Sequence, residues 1–236
     1  MKQLKNFTLA LLLGVGITNI AFSQDAPGIS PSVRDFNSIA LGGPFNVVVK
    51  MGNEESVRVE ATSEDVKDII VEVKDHTLRL KLKNSYQTWK KNYQKINIFV
   101  TAKQLKNITV GGSGSLKVEN EIKSDDIELT VSGSGSIQIS VNTSSIESTV
   151  SGSGSIQIAG TSDQSDITVS GSGTFKGQQL KTSKASVVIS GSGSASIHTD
   201  EELNATISGS GSVIYSGSPT NVNTHTSGSG KVRKAE

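Results

Sequence analysis

The chain has 236 residues, with 23 basic and 22 acidic side chains and no cysteine. This charge balance gives no support to nucleic-acid binding, which usually requires a strongly basic domain. The absence of cysteine excludes disulfide bonds and thiolate metal sites, so the fold must be stabilised by the burial of apolar side chains.

Residues 1–23 have the features of a secretory signal peptide. Lys2 and Lys5 precede an apolar run from Leu9 to Ile20, and Ala21-Phe22-Ser23 is a small-x-small cleavage site. The apolar run is too short to be a convincing membrane span. We therefore predict an exported protein, located in the periplasm, at the outer-membrane surface or in the medium, with no transmembrane segment in the mature chain.

Residues 24–104 are predicted to form a β-rich region that covers one end of the repeats that follow. Alternation of apolar and polar residues predicts strands at Phe45–Lys50, Ser56–Ala61, Ile69–Lys74 and Thr77–Leu82. Turns are expected at Gly42-Gly43-Pro44, Gly52-Asn53 and Asp75-His76. Ser63 is predicted to cap a helical turn over residues 63–68. The spacing leaves two interpretations open: a separate domain, or the longer first rungs of the repeat array.

A lysine-rich aromatic segment within this region, residues 84–95, is the best candidate for contact with a partner. Six lysines and no acid occur from Lys83 to Lys106, and the single tryptophan lies beside two of the three tyrosines. Exposed aromatic rings stack on sugar rings, and lysines attract anionic glycans or lipid headgroups. The predicted ligand-binding residues are Tyr86, Trp89, Lys90, Lys91 and Tyr93. In the alternative interpretation, Trp89 packs over the end of the repeats and the lysines keep the segment soluble.

Residues 105–236 contain seven copies of Gly-Ser-Gly at intervals of 18 to 21 residues. They begin at Gly112, Gly133, Gly152, Gly171, Gly191, Gly209 and Gly228. A repeat this short cannot bury an apolar face alone and must stack on its neighbours. Apolar residues alternate with polar ones on both sides of each motif, which predicts strands. The predicted fold class is an all-β solenoid, similar to a parallel β-helix, with rungs of about 19 residues.

The register of the motifs predicts which side chains face the core. Around Gly133, the inward set is Leu129, Val131, Ile137 and Ile139, and the outward set is Ser132, Ser134 and Ser136. The same alternation places both glycines of each motif on the inward face, where no side chain is tolerated. Polar stretches such as residues 142–145 are predicted to be outer turns. Thr224, Thr226, Lys231 and Lys234 give the last repeat a polar edge.

These elements together resemble a known family. An opening strand at residues 36–39, strands at Val47–Val49 and Leu78–Leu80, and then repeated Ser-Gly-Ser-Gly-Ser rungs are similar to the putative auto-transporter adhesin head domain family, also called the GIN domain family. The resemblance covers residues 33–231. It implies an all-β, solenoid-like exported protein of a Gram-negative cell envelope, and it supplies no catalytic residues to carry over.

The sequence contains no arrangement of residues that indicates catalysis. His76, His198 and His225 are scattered, and no Ser-His-Asp or metal-ligand spacing links them. The carboxylates of the repeats do not recur in one register and are expected to be solvated charges near turns. Ser115 stands where a calcium-binding repeat would carry aspartate, and neutral hydroxyls bind calcium poorly. We therefore predict no catalytic, cofactor-binding or metal site.

The predicted function is that of an exported, non-enzymatic envelope protein: an adhesin-like binding or structural module that contacts glycans or another envelope or host surface polymer. One alternative is a periplasmic accessory protein for envelope assembly or stress. A second, less favoured, is a polysaccharide-processing enzyme, because parallel solenoids also carry such enzymes.

Overall fold

The computed structural model describes residues 28–83, 93 and 95–235 of the chain. The predicted signal peptide, residues 1–23, lies outside the described residues. Apart from a 3₁₀ turn at Val66–Asp68, the regular structure described is β-strand. The strands are β1 Gly28–Ile29, β2 Ser38–Gly42, β3 Phe45–Met51, β4 Ser56–Glu60, β5 Ile69–Lys74, β6 Thr77–Leu82, β7 Ile96–Ala102, β8 Asn107–Gly112, β9 Ser115–Val118, β10 Ile122–Lys123, β11 Asp126–Gly133, β12 Ser136–Gly152, β13 Ser155–Gly171, β14 Thr174–Gly191, β15 Ser194–Gly209, β16 Ser212–Ser216, β17 Asn221–Gly228 and β18 Lys231–Lys234.

The strands form the predicted parallel solenoid, whose rungs cross two faces. Face A contains β6, β2, β8 and β11, the C-terminal halves of β12 to β15, and β17. Face B contains β7, β3 and β9, the N-terminal halves of β12 to β15, β16 and β18. Inward residues stack in columns, for example Ile137, Ile156, Phe175, Ala195 and Val213, each at most 1% exposed. Burial of these columns drives the stacking.

The first rungs do not follow chain order. Strand β2 pairs with β6 on one side and β8 on the other, while β3 lies between β7 and β9. The rung formed by β6 and β7 is therefore the outermost, although it comes later in the chain. All four strands predicted for residues 45–82 are confirmed. Strands on both sides of residue 104 join one sheet, and the predicted domain boundary there stays a prediction.

Antiparallel strands cover the N-terminal end of the solenoid. Strand β5 pairs with β6, strand β4 with β7, and β1 with β4. The β5–β6 hairpin turns at Asp75 and His76, which have φ angles of 51° and 57°, as the predicted turn requires. Across this hairpin Lys81 Nζ donates to Glu72 Oε1 at 2.8 Å, and the hydrogen bond lowers the pKa of Glu72.

The predicted cap of the helical turn was wrong. The 3₁₀ turn is only three residues long, Val66–Asp68, and begins after Asp65. The backbone N–H of Asp65 donates to the Thr62 hydroxyl at 3.1 Å, whereas Ser63 is exposed. Thr62 therefore provides the side-chain oxygen that was expected from Ser63.

The prediction that both glycines of each motif face inward was wrong for the first glycine. Gly135 is buried, but Gly133 is exposed and has a φ of 109°. This positive φ turns the chain at the corner and interrupts the strict alternation on which the prediction depended. A Cβ atom on Gly133 would lie 2.7 Å from the Gly112 carbonyl oxygen of the preceding rung. The missing side chain therefore permits close stacking of successive corners.

Opposite these glycine corners, buried hydroxyl groups form a second set of corners. Its members are Thr143, Ser162, Thr182 and Thr199, each at most 8% exposed. The Thr199 hydroxyl donates to the Ser183 carbonyl at 2.8 Å. The Thr143 hydroxyl makes the equivalent bond to the Asp125 carbonyl of the preceding rung at 2.8 Å. Hydroxyls that donate hydrogen bonds to backbone carbonyls can be buried, because their polar groups stay satisfied. The segments predicted as outer turns therefore form part of the boundary of the core.

Candidate functional site

The outward side of face B carries an unbroken row of small polar side chains. From β7 across to β16 its members are Asn97, Asn46, Ser115, Ser136, Ser155, Thr174, Ser194 and Ser212. All are half-buried. The Ser115 hydroxyl donates to Asn46 Oδ1 at 3.0 Å, which shows that the row continues across the out-of-order first rungs. The row offers hydrogen-bonding groups at the spacing of the strands, about 4.8 Å.

Face A carries hydroxyl rows of the same kind and also a row of acids. The serines at the glycine corners, such as Ser132 and Ser151, are exposed as predicted. The prediction that carboxylates do not share a register was wrong for three of them. Glu128, Glu147 and Asp166 lie directly opposite one another on β11, β12 and β13. Their intervals of 19 residues equal the local rung length, which places them in one row.

Of the five predicted ligand-binding residues, Tyr93 alone lies within the described residues. Tyr86, Trp89, Lys90 and Lys91 lie outside them. Tyr93 is half-buried and packs against the hydrophobic core. Its phenol donates to Asp68 Oδ2 at 3.3 Å. These contacts give Tyr93 a structural role at the N-terminal end, and its contact with a ligand stays a prediction.

The structure brings together one serine, one histidine and one aspartate that no motif spacing in the sequence links. His198 Nδ1 lies 3.0 Å from Ser216 Oγ, and His198 Nε2 lies 3.4 Å from Asp200 Oδ1. Parallel pairing of β15 with β16 places His198 opposite Ser216, which sequence spacing did not reveal. However, the Ser216 hydroxyl donates to the Ile197 carbonyl at 3.2 Å. This bond competes with transfer of the hydroxyl proton to the imidazole, which activation of a nucleophile requires.

Across residues 28–83, 93 and 95–235, no group of three or more His, Asp or Glu side chains is arranged to hold a metal ion. Over the same residues, no helix is long and apolar enough to cross a membrane.

Comparison with known proteins identifies the family. A family model described as "Putative auto-transporter adhesin, head GIN domain" matches residues 35–219. A crystal structure of a putative adhesin from Bacteroides fragilis is 25% identical, covers 90% of this chain and 98% of its own, and gives a TM-score of 0.84. A putative lipid binding protein from Parabacteroides distasonis is 22% identical over 91% of this chain and 98% of its own, with a TM-score of 0.72.

A putative adhesin from Parabacteroides merdae is 20% identical, with the same coverages of 91% and 98% and a TM-score of 0.72. The proteins from Parabacteroides distasonis and Parabacteroides merdae share the fold of this chain. No curated protein matches the chain. Since the family model spans most of the sequence and the solenoid matches solved structures along nearly their whole length, the chain belongs to the auto-transporter adhesin head domain family, the GIN domain family.

Proposed function

We propose that this chain is an exported, non-enzymatic envelope protein that acts as an adhesin-like binding module and contacts glycans. The observation that supports this proposal most directly is the polar row on face B, which presents side-chain amides and hydroxyls on eight adjacent strands. Such a surface can exchange hydrogen bonds with a polymer at many points along its length. Many weak contacts along one rigid surface produce useful affinity because little ordering is needed on binding.

The family description and the adhesin from Bacteroides fragilis support the binding role. The same adhesin descriptions support the non-enzymatic part of the proposal. The name of the Parabacteroides distasonis protein makes lipid headgroups a competing ligand class. Residues Tyr86, Trp89, Lys90, Lys91 and Tyr93 remain proposed as a second contact region for a glycan.

A glycan and envelope-polymer array tests this function on the purified chain, residues 24–236. We expect binding to a defined set of glycans, with the masses of the bound glycans unchanged. The Trp89→Ala variant is expected to bind at least about fivefold more weakly if the aromatic segment contacts the ligand, since one stacked ring is worth roughly 1 kcal/mol. Binding of lipid vesicles alone would contradict the glycan ligand, and cleavage of a glycan would contradict the non-enzymatic role.

A further inference from the structure

A second outward row on face B carries a cation on every third strand. In spatial order from β4 to β18 its members are Arg58, Phe99, Val48, Lys117, Gln138, Gln157, Lys176, Ser196, Ile214 and Arg233. Each member lies directly opposite the next. We call this set the cation row. Its four cations are about 14 Å apart and the row is about 43 Å long, because neighbouring strands lie about 4.8 Å apart.

The cations of this row are available to a partner. Lys117, Lys176 and Arg233 are exposed, and none has a carboxylate within ion-pair distance in the described part of the chain. Arg58 stacks over the Phe99 ring, 4.5 Å from its centre, and shares its charge with Glu60. The row itself contains no acid. Three of its four positive charges are thus unneutralised.

An acidic row on face A contrasts with the cation row. This row contains Glu128, Glu147 and Asp166, and between β8 and β17 its other members are the neutral residues Asn107, Ser186, Asn204 and Asn223. A polyanion is therefore attracted to the cation row and repelled by the three acids of this row. This difference favours the cation row over the acidic row as the contact for an acidic partner.

The row passes an open depression beside Lys176. It is lined by Gln157, Ile158, Lys176, Gln178 and Gln179 and is open to solvent. The depression arises at a bulge, where the register between β13 and β14 shifts after Gln157. Here amide groups, which both donate and accept hydrogen bonds, lie next to an ammonium group. This combination can hold an anionic group together with adjacent hydroxyls.

The side chains between the cations indicate the class of polyanion. Gln138 and Gln157 offer amides for sugar hydroxyls, while the half-buried Phe99, Val48 and Ile214 offer apolar contact for ring faces. The length of one pyranose unit in an extended chain is about the spacing between neighbouring strands. Nucleic acids carry phosphates about 3.4 Å apart along each duplex strand, and single strands require a series of stacking aromatics. Widely spaced cations separated by amides therefore favour a glycan.

We propose that the cation row binds a linear acidic polysaccharide that lies along the solenoid axis. This inference rests on the proposed function and narrows it to an acidic glycan and to face B. The acidic groups of the glycan pair with Lys117, Lys176 and Arg233, and the sugars between them contact the intervening side chains.

Titration calorimetry with oligogalacturonates of increasing length tests this site on residues 24–236. The row variant is Lys117→Gln/Lys176→Gln/Arg233→Gln. Its matched control, Lys103→Gln/Lys106→Gln/Lys184→Gln, removes the same charge from positions outside the cation row. All six lysines and arginines are exposed, so both variants should keep the melting temperature of the wild type.

We expect the row variant to bind at least about tenfold more weakly than the wild type, because charge-assisted hydrogen bonds are lost, while the control binds within about twofold. Affinity should increase with oligomer length until the row is covered, and it should fall with added salt. Equal binding by the row variant and the wild type would overturn this site and leave the proposed function standing. Binding of neutral glycans without binding of oligogalacturonate would also overturn this site and leave the proposed function standing.

Failure to bind any glycan would overturn both the proposed function and this site. Tighter binding of single-stranded DNA than of oligogalacturonate, lost in the row variant, would reassign the row to nucleic acid and overturn the polysaccharide ligand.

Discussion

Gly152→Ala is expected to lower the free energy of unfolding by about 3 kcal/mol. Gly152 is the first glycine of the third motif and has a φ of 110°, a region that residues with a side chain rarely occupy. A Cβ atom there would lie 2.7 Å from the Gly133 carbonyl oxygen. Backbone strain and overlap with the preceding rung act together, because the corner cannot move without separating two rungs.

Gly42→Ala is the matched control for this substitution. A Cβ atom on Gly42 would lie 3.6 Å from the Lys81 Cβ atom, an ordinary contact, and its φ is not in the positive range. We therefore expect the free energy of unfolding of the control, measured by urea denaturation, to change by less than about 1 kcal/mol. Equal destabilisation of the two variants would show that the glycine corners do not control stacking.

The substitutions Phe175→Ile and Gly177→Ile are expected to offset each other's destabilising effect in the core. Phe175 is fully buried, and a Cβ atom on Gly177 would lie 2.5 Å from the Phe175 Cε1 atom, so the ring occupies the space of the missing side chain. Phe175→Ile should cost roughly 2 kcal/mol by leaving a cavity. Gly177→Ile should cost at least as much because of the overlap. The double variant should be more stable than the sum of the two single free-energy changes predicts.

A double-mutant cycle measures this coupling by urea denaturation. The pairs Ile137/Ile139 and Ile156/Ile158 stand at the same distance from the glycine motif in two earlier repeats and are buried, so the double variant introduces the pair of side chains that those repeats contain. We expect a coupling free energy of roughly 1–3 kcal/mol in favour of the double variant. Additive effects of the two single substitutions would mean that the Phe175 ring does not fill the space beside Gly177.

Much of the fold can be predicted from the sequence because its determinants are local. The strand Phe45–Met51 and the hairpin around Asp75 and His76 follow from alternation and turn residues within a few positions. The stacked rungs follow from the repeated interval of the motif. Each of these patterns lies within one rung or recurs from one rung to the next.

The remaining features depend on pairing between distant segments. The position of β6 and β7 outside β2 and β3 is a choice of partner that alternation does not specify. The contact between His198 and Ser216 also depends on register, and the cation row draws Arg58 and Lys117 from strands that are distant in the chain. The neighbours of Tyr93 in sequence predict a ligand contact, whereas its bond to Asp68 depends on the folded end of the solenoid.

The most direct test of the adhesin-like role is protease accessibility of the protein on intact cells that produce it. Loss of the protein on addition of external protease, with a periplasmic marker retained, is the expected result, because a module that binds external polymers must be exposed at the cell surface. Full protection on intact cells, with digestion only after the outer membrane is opened, would contradict adhesion and favour a periplasmic accessory role.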